Sequence, residues 1–506
     1  MPSLPVPSKM TLIRSLLSLL LGATVTLGFA PFDVWPVPMV AIAAVFLLVR
    51  TLPVRQSAST GFLFGAGMFG AGTSWIYVSI HEFGAASPLL AGFLTLAFVL
   101  AISALLIMPL FIIYSWLSQR RQKQPAWQQA LMFAGLWVIF EWVRSWLLTG
   151  FPWLLTGYSL IDTPFAGLAP VTGVYGLSLL LVTTGCLLAS IIIPKNRRPA
   201  SLLSAIVLGL WGLAFLLNHQ QWTNHTGQLE FSAIQGNIPQ ELKWNPDFIQ
   251  NTVNIYTNLS ADQWQNDLII WPENAVPVFY NRAKGFMQQL ENKGKKEAAT
   301  LITGVPVDDN SGDRTRYYNS VVALGQGEGR YDKQKLVPFG EYVPMGNLLR
   351  GLIDFFNLPM SEFSQGKPDQ TLLQVADITI APYICYEVVY PDFAAQQALN
   401  SGLLITISND TWFGNSIGPI QHFQMARMRA LETGRYLIRA TNDGISALID
   451  DRGQVLKTIP RFEQGVLTGT AQVMTGSTPF MNFGSWPTLF ICLLMIICGV
   501  VTPRRS

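Results

Sequence analysis

The run Thr379-Ile380-Ala381-Pro382-Tyr383-Ile384-Cys385-Tyr386-Glu387 decides how this chain is read. A largely apolar stretch stops at a thiol and, two residues on, at a carboxylate. Continuous apolar runs bounded by polar residues read as strands buried on both faces, and the end of such a strand can hold a nucleophile beside an acid. The chain has four cysteines, and Cys186, Cys492 and Cys498 fall in long apolar stretches. Cys385 is therefore the one thiol of the polar half and has no neighbour for a structural disulfide. A lone thiol is more often a packing residue; its surroundings have to decide.

Half of the 506 residues are apolar, 12% are charged, and the mean hydropathy is positive. A soluble protein normally carries about twice that charge. The deficit lies in residues 1–217 and after Ser485, while 218–480 reads like an ordinary water-exposed domain. A bilayer span takes roughly 20 apolar residues. About eight can be placed, at 12–28, 37–49, 61–79, 89–117, 126–148, 165–193, 202–217 and 486–501. The second is the shortest, and the first could instead be a cleavable signal peptide after Lys9 and Arg14. Basic residues gather in alternate loops: Arg50 and Arg55; Arg120, Arg121 and Lys123; Lys195, Arg197 and Arg198; Arg504 and Arg505. The positive-inside rule puts those loops and both termini in the cytoplasm and the polar domain on the periplasmic side. The expected layout is a seven-helix membrane domain at 1–217, a catalytic domain at 218–483, and a last span with a cytoplasmic tail at 484–506. A net charge of +3 gives no reason to invoke nucleic acid.

Within 228–475, β-rich runs alternate with helical stretches. Strands are expected at 229–234, 267–271, 300–305, 319–324, 379–384, 403–408, 436–440 and 446–450, and helices at 247–260, 282–293 and 421–434. Polar residues cluster after three strands, as Pro272-Glu273-Asn274, as Tyr331-Asp332-Lys333-Gln334-Lys335 with Leu336 to Tyr342, and as Cys385-Tyr386-Glu387. Strand ends on one sheet edge converge, so a Glu, a Lys and a Cys distant in sequence can meet. A free thiol titrates at about 8.5 and needs a base or nearby positive charge. Glu273 can take its proton and hand it to a leaving group; Lys335 can stabilise the thiolate and the oxyanion. Of the histidines, His422 alone lies well inside this domain, so a Cys–His pair is the weaker reading. The chain shows no Gly-rich phosphate loop and no zinc-type Cys/His spacing; no cofactor or metal is expected.

Trp271-Pro272-Glu273, Lys335-Leu336-Val337-Pro338-Phe339-Gly340-Glu341, Cys385-Tyr386-Glu387 and Ser408-Asn409-Asp410-Thr411-Trp412-Phe413-Gly414 stand in order and at plausible separations. Together they resemble the motifs of the nitrilase, or carbon–nitrogen hydrolase, superfamily. That resemblance implies an α/β/β/α sandwich with Glu273, Lys335 and Cys385 as its triad. The whole chain resembles the superfamily's membrane-embedded branch, the apolipoprotein N-acyltransferases of bacterial inner membranes. Gln235-Gly236-Asn237-Ile238-Pro239-Gln240 with Lys243-Trp244, and Leu148-Thr149-Gly150-Phe151-Pro152-Trp153 with Gly157-Tyr158, also match. The branch implies a ping-pong reaction. Cys385 takes a fatty acyl chain from a phospholipid, typically phosphatidylethanolamine, as a thioester. The α-amine of an apolipoprotein's N-terminal S-diacylglyceryl-cysteine then accepts it. A membrane-tethered amidase or thioesterase using water is the alternative.

The same resemblance makes Glu341 and Glu387 supporting acids that order Lys335, Cys385 or the incoming amine, against a purely structural salt bridge. Trp244 and Trp412 are loop aromatics that touch lipid or gate the site, against plain packing. Asn319, before a strand near the site, is expected to donate a hydrogen bond to the triad, and Tyr386 and Asn409 are expected as supporting positions inside the matching motifs. Residues 342–365 carry an apolar stripe at roughly helical spacing, read as an arm guiding acyl chains against a cap on the domain's own core. Glu141 and Arg144, near the end of the fifth span, are costly unless satisfied; an i,i+3 pair or a headgroup contact is expected.

Overall fold

The structure is a computed structural model and describes residues 8–120, 124–193, 197–312, 314–342 and 362–501. Most of the expected arm, 343–361, lies outside the described residues. The chain separates into two compact units. One comprises residues 1–77, 87–220 and 485–506; the other comprises 78–86 and 221–484.

The first unit is helical, and each of the segments expected to span is a helix or a pair of helices. Among the described residues, four helices are long and apolar enough to cross a bilayer: Lys9–Gly28, Pro88–Gln119, Ala166–Ile191 and Arg198–Leu217. Val54–Gly72 with Trp75–Phe83 makes a fifth if taken as one span, although the pair is bent by 56°. The bend has a local cause. Gly70 and Gly72 have low helix propensity, and the Thr73 hydroxyl takes the Phe69 carbonyl at 2.7 Å. Pro36–Val49 and Trp486–Val500 are shorter apolar helices. Gly22 and Gly67 let Lys9–Val25 and Val54–Gly72 touch backbone to backbone, since a Cβ at either would strike Phe64 O or Leu19 O.

Glu141 and Arg144 form no close ion pair with each other. Glu141 Oε1 accepts from Trp137 Nε1 at 3.0 Å and from Thr156 N and Oγ1 at 2.8 Å each. Arg144 Nη2 donates to Leu154 O at 3.2 Å. Residues 150–155 are not helical, and backbone groups of such a segment need internal partners in an apolar setting. Arg144 supplies one of them, at Leu154, and Glu141 holds the amide of Thr156 where the next helical turn begins.

Among the described residues the second unit holds twelve strands: β1 (Asn224–Gln235), β2 (Leu268–Ile270), β3 (Thr300–Asp309), β4 (Arg316–Gly325), β5 (Arg330–Asp332), β6 (Leu373–Val375), β7 (Ile378–Ile384), β8 (Leu403–Ser408), β9 (Leu437–Thr441), β10 (Ala447–Ile449), β11 (Val455–Thr458) and β12 (Gly465–Thr475). They form two six-stranded sheets, in the orders β12-β1-β2-β3-β4-β5 and β11-β10-β9-β8-β7-β6. Phe231, Ile270, Ile302 and Val321 of the first sheet share one core with Ile380, Ile384, Ile405 and Ile438 of the second. Outside the first sheet, Ile269, Trp271, Leu301 and Val322 pack on Tyr256, Met287 and Leu290, which belong to helices Ile249–Leu259 and Lys284–Glu297. Helices Pro391–Ala398 and Gly418–Thr433 pack on β7 and β9 of the second sheet. The layers are helix, sheet, sheet, helix, as the apolar runs require. β1–β2–β3 and β7–β8–β9 are parallel, so each set delivers its carboxyl ends to one edge.

Candidate active site

Glu273 follows β2, Cys385 comes directly after β7, and Asn409 directly after β8. The edge brings them together. Glu273 is 6% exposed. Its Oε1 accepts from Asn319 Nδ2 at 2.7 Å and its Oε2 from Asn409 N at 2.9 Å. Both donors hold the carboxylate without taking its charge. Asn319 Nδ2 also donates to Glu341 Oε1 at 2.8 Å, so one amide orients two acids.

The lysine at this site is Lys333, not Lys335. Lys333 is 1% exposed; its Nζ donates to Glu341 Oε1 at 2.9 Å and lies 3.6 Å from Glu273 Oε1. Burial works against its charge, but Glu341 and Glu273 outweigh burial and keep the ammonium protonated well above its usual range. Lys335 is half-buried, with Nζ 5.6 Å from the ring centres of Tyr390 and Phe393. Lys333 N bonds Asn319 O at 2.8 Å, extending the β4–β5 pairing, and the chain then turns around Glu387. Glu387 Oε1 accepts from Gln334 N at 2.6 Å, Lys335 N at 3.1 Å and Tyr331 Oη at 3.0 Å, and Oε2 accepts from Ile384 N at 2.8 Å. Burial pushes Glu387 up to about 7, against the pull of these donors. This carboxylate thus ties the lysine segment to the strand that presents Cys385. Its reach is to the backbone on either side of the site.

Cys385 has φ +52°, in the left-handed region that costs a residue with a Cβ free energy and that tends to persist at functional positions. It opens a 3-10 turn, Cys385–Val389. Burial pushes the thiol up to about 12; the Glu273 carboxylate adds to this, and the Lys333 ammonium pulls it back. The resting group is a neutral thiol facing a carboxylate. Behind it, His422 Nε2 donates to Cys385 O at 3.2 Å, and Arg439 Nη2 lies 3.1 Å from His422 Nδ1 and donates to Asp410 Oδ2 at 2.6 Å. Burial and the Arg439 guanidinium depress the imidazole's pKa, so it rests neutral. His422 thus supports the nucleophile's main chain, in keeping with the preference for a Glu base.

The remaining expected residues fall as follows. Asn409 Nδ2 donates to Gln240 Oε1 at 2.7 Å. The Tyr386 ring is buried edge-on to Tyr390, 5.5 Å between centres. Trp244 is half-buried at the end of helix Gln240–Lys243. Trp412 is half-buried; its carbonyl accepts from Ser79 Oγ at 2.7 Å and its ring lies 6.3 Å from Phe83. Two residues outside the expected set stand in the site: Lys333, two positions from the lysine singled out, and Lys243, whose Nζ donates to Glu273 O at 2.9 Å.

A buried carboxylate and ammonium beside a half-buried thiol can deprotonate the thiol, form an acyl-enzyme and stabilise charge on the acyl oxygen. Comparisons with known proteins point the same way. Residues 232–480 match the family model described as carbon–nitrogen hydrolase, and residues 21–187 match that of the apolipoprotein N-acyltransferase N-terminal domain. An apolipoprotein N-acyltransferase of Pseudomonas putida is 48% identical over 97% of this chain and 97% of its own length. Another, from Photobacterium profundum, is 40% identical over 98% of this chain and 96% of its own. A solved carbon–nitrogen hydrolase from Helicobacter pylori is 16% identical over 53% of this chain and 96% of that one, with a TM-score of 0.37, a likeness too weak to add to these. Matches to both halves, and identity that runs nearly end to end, leave one assignment: the chain belongs to the apolipoprotein N-acyltransferase family.

Proposed function

We propose that this chain moves a fatty acyl group from a phospholipid, phosphatidylethanolamine in the first instance, to the α-amine of an N-terminal S-diacylglyceryl-cysteine. The observation that carries the chemistry is the meeting of Glu273, Lys333 and Cys385 on one strand edge. Glu273 takes the thiol proton as the sulfur attacks the acyl ester carbonyl. The tetrahedral intermediate collapses by breaking the bond to the glycerol oxygen, which leaves with the proton from Glu273. The acceptor amine then attacks the thioester, passes a proton to Glu273, and the thiolate departs and is reprotonated. Lys333 offsets the negative charge that gathers on sulfur as the thiol gives up its proton, and again as the thiolate departs. Glu341 and Asn319 orient Lys333 and Glu273; Glu387 orients the lysine segment.

The helical segments are read as eight spans, with both termini in the cytoplasm and 218–483 on the periplasmic face of the inner membrane. Alternating basic loops support that reading. Lipid anchoring of donor and acceptor would keep both at the surface where the thiol works, raising their effective concentration. Trp244, Trp412 and the 342–365 segment are proposed as the lipid-facing rim.

Intact mass after incubation with phosphatidylethanolamine in detergent tests this. A gain of one acyl chain, absent in Cys385→Ser and discharged onto a diacylglyceryl-cysteine peptide, is expected. Discharge only to free fatty acid would replace the transferase with the hydrolase reading.

A further inference from the structure

The short helix Gln240–Lys243 carries a second lysine into the site. Lys243 is 1% exposed, and its Nζ donates to the main-chain oxygen of the base, Glu273, at 2.9 Å. Gln240, on the same turn, accepts from Asn409 Nδ2, and Asn409 N in turn holds Glu273 Oε2. An ammonium has three N–H groups. Among the described residues, Glu273 O is the one hydrogen-bond acceptor of Lys243, and no carboxylate lies within 4.0 Å of its nitrogen. Pinning a carbonyl would need only a neutral donor. A buried cation with N–H groups to spare is costly unless something supplies the missing oxygen.

The charge balance says what that something is. Lys333 faces two carboxylates, Glu341 and Glu273, so these three groups together carry one negative charge. As the sulfur attacks, Glu273 takes the thiol proton and the negative charge moves from that carboxylate to the substrate oxygen, while Lys333 stays matched by Glu341. Lys243 is the second cation beside Glu273, with N–H groups unspent and its charge offset by Glu273 and Asp443 without a close ion pair. We propose that Lys243 is a second oxyanion donor, its spare N–H groups binding the acyl carbonyl oxygen as the sulfur of Cys385 attacks. In that step the C–S bond forms and the carbonyl π pair moves onto oxygen. The pair returns as the bond to the leaving glycerol oxygen breaks, and Lys243 keeps its proton throughout. Burial lowers the pKa of Lys243 to about 8, with Glu273, Asp443 and Cys385 pulling it upward, so the group is a strong donor that is still charged at neutral pH.

This proposal rests on Cys385 being acylated by a lipid ester, and its test separates the two. Single-turnover acylation of the full chain in detergent is followed by intact mass, with a phospholipid and with its thionoester analogue, in which sulfur replaces the carbonyl oxygen. Lys243→Gln retains a donor for Glu273 O; Lys243→Met retains none. Both variants should acylate about 10²–10³-fold more slowly with the oxygen ester, and the oxygen-to-sulfur rate ratio should fall well below that of the unchanged protein. Equal slowing of ester and thionoester, or no slowing, would overturn the proposal and leave Lys243 a support for the Glu273 backbone. The unchanged protein gives a reading that needs no variant to fold. Its oxygen-to-sulfur ratio should drop as pH rises past about 8, where Lys243 discharges; a ratio flat to pH 10 would also overturn the proposal. Absence of any acyl-enzyme in the unchanged protein would instead remove the parent reading, and this one with it.

Discussion

Lys333 and Lys335 stand two residues apart, and in an extended strand they would share a face. The turn that separates them is made by Glu387, which gathers the amides of Gln334 and Lys335 on one oxygen. Glu273 and Cys385 were legible because apolar runs stop at them. The choice between the lysines was not, because it depends on a carboxylate more than fifty positions away. Lys333→Met should cut acylation of Cys385 by at least about 10²-fold, whereas Lys335→Met should leave it within about threefold; single-turnover mass measurements compare the two directly. The thiol offers a second test. With burial holding its pKa high, the thiolate fraction rises with pH across the neutral range. In Glu273→Gln, where no base assists, alkylation by iodoacetamide should climb about tenfold per unit from pH 7 to 10 without a plateau. Removing the Glu273 charge should also bring the thiol's midpoint below about 12. A plateau near neutrality would mean a resting thiolate and a different base.

Strands β1 to β4 and β7 to β10 were readable from continuous apolar character. β12 was not. Gly465, Gly469 and several threonines and a glutamine interrupt its pattern, and it is held by its antiparallel register along β1. β11 is exposed along its length at the edge of its sheet, and β5 and β6 are short and broken by Arg330, Asp332 and Gln374, so no continuous apolar run marks them. Close packing of elements sets the base as firmly as its hydrogen bonds do. A Cβ on Gly304 of β3 would lie 2.5 Å from Asn274 N and 2.8 Å from Glu273 Cα, both backbone atoms that cannot step aside alone. Gly304→Val should therefore displace Glu273 and reduce acylation about tenfold or more, with the melting transition still cooperative. Retained activity would show that the segment after β2 is freer than its contacts imply.

At the scale of the molecule, the sequence divides into an apolar helical part and a polar α/β part, and the fold keeps that division with one exception. Residues 78–86 lie between helices of the first unit and yet pack into the second, where Ser79 and Phe83 meet Trp412 and a Cβ at Gly414 would touch Val78, Glu82 and Phe83. Composition could not reveal this, since Trp75–Val78 continues an apolar run. The proposed sidedness has its own check. A cysteine introduced at exposed Glu328 should react with a membrane-impermeant maleimide in spheroplasts, and one at exposed Arg55 should not; the reverse would invert the topology. The exception at 78–86 also has a consequence for biosynthesis. The seat of the Trp412 loop leaves the ribosome well over a hundred residues before the first strand of the sandwich. Residues 221–484 expressed alone would fold around a missing piece, because the catalytic unit is a discontinuous one whose earliest part waits for its latest.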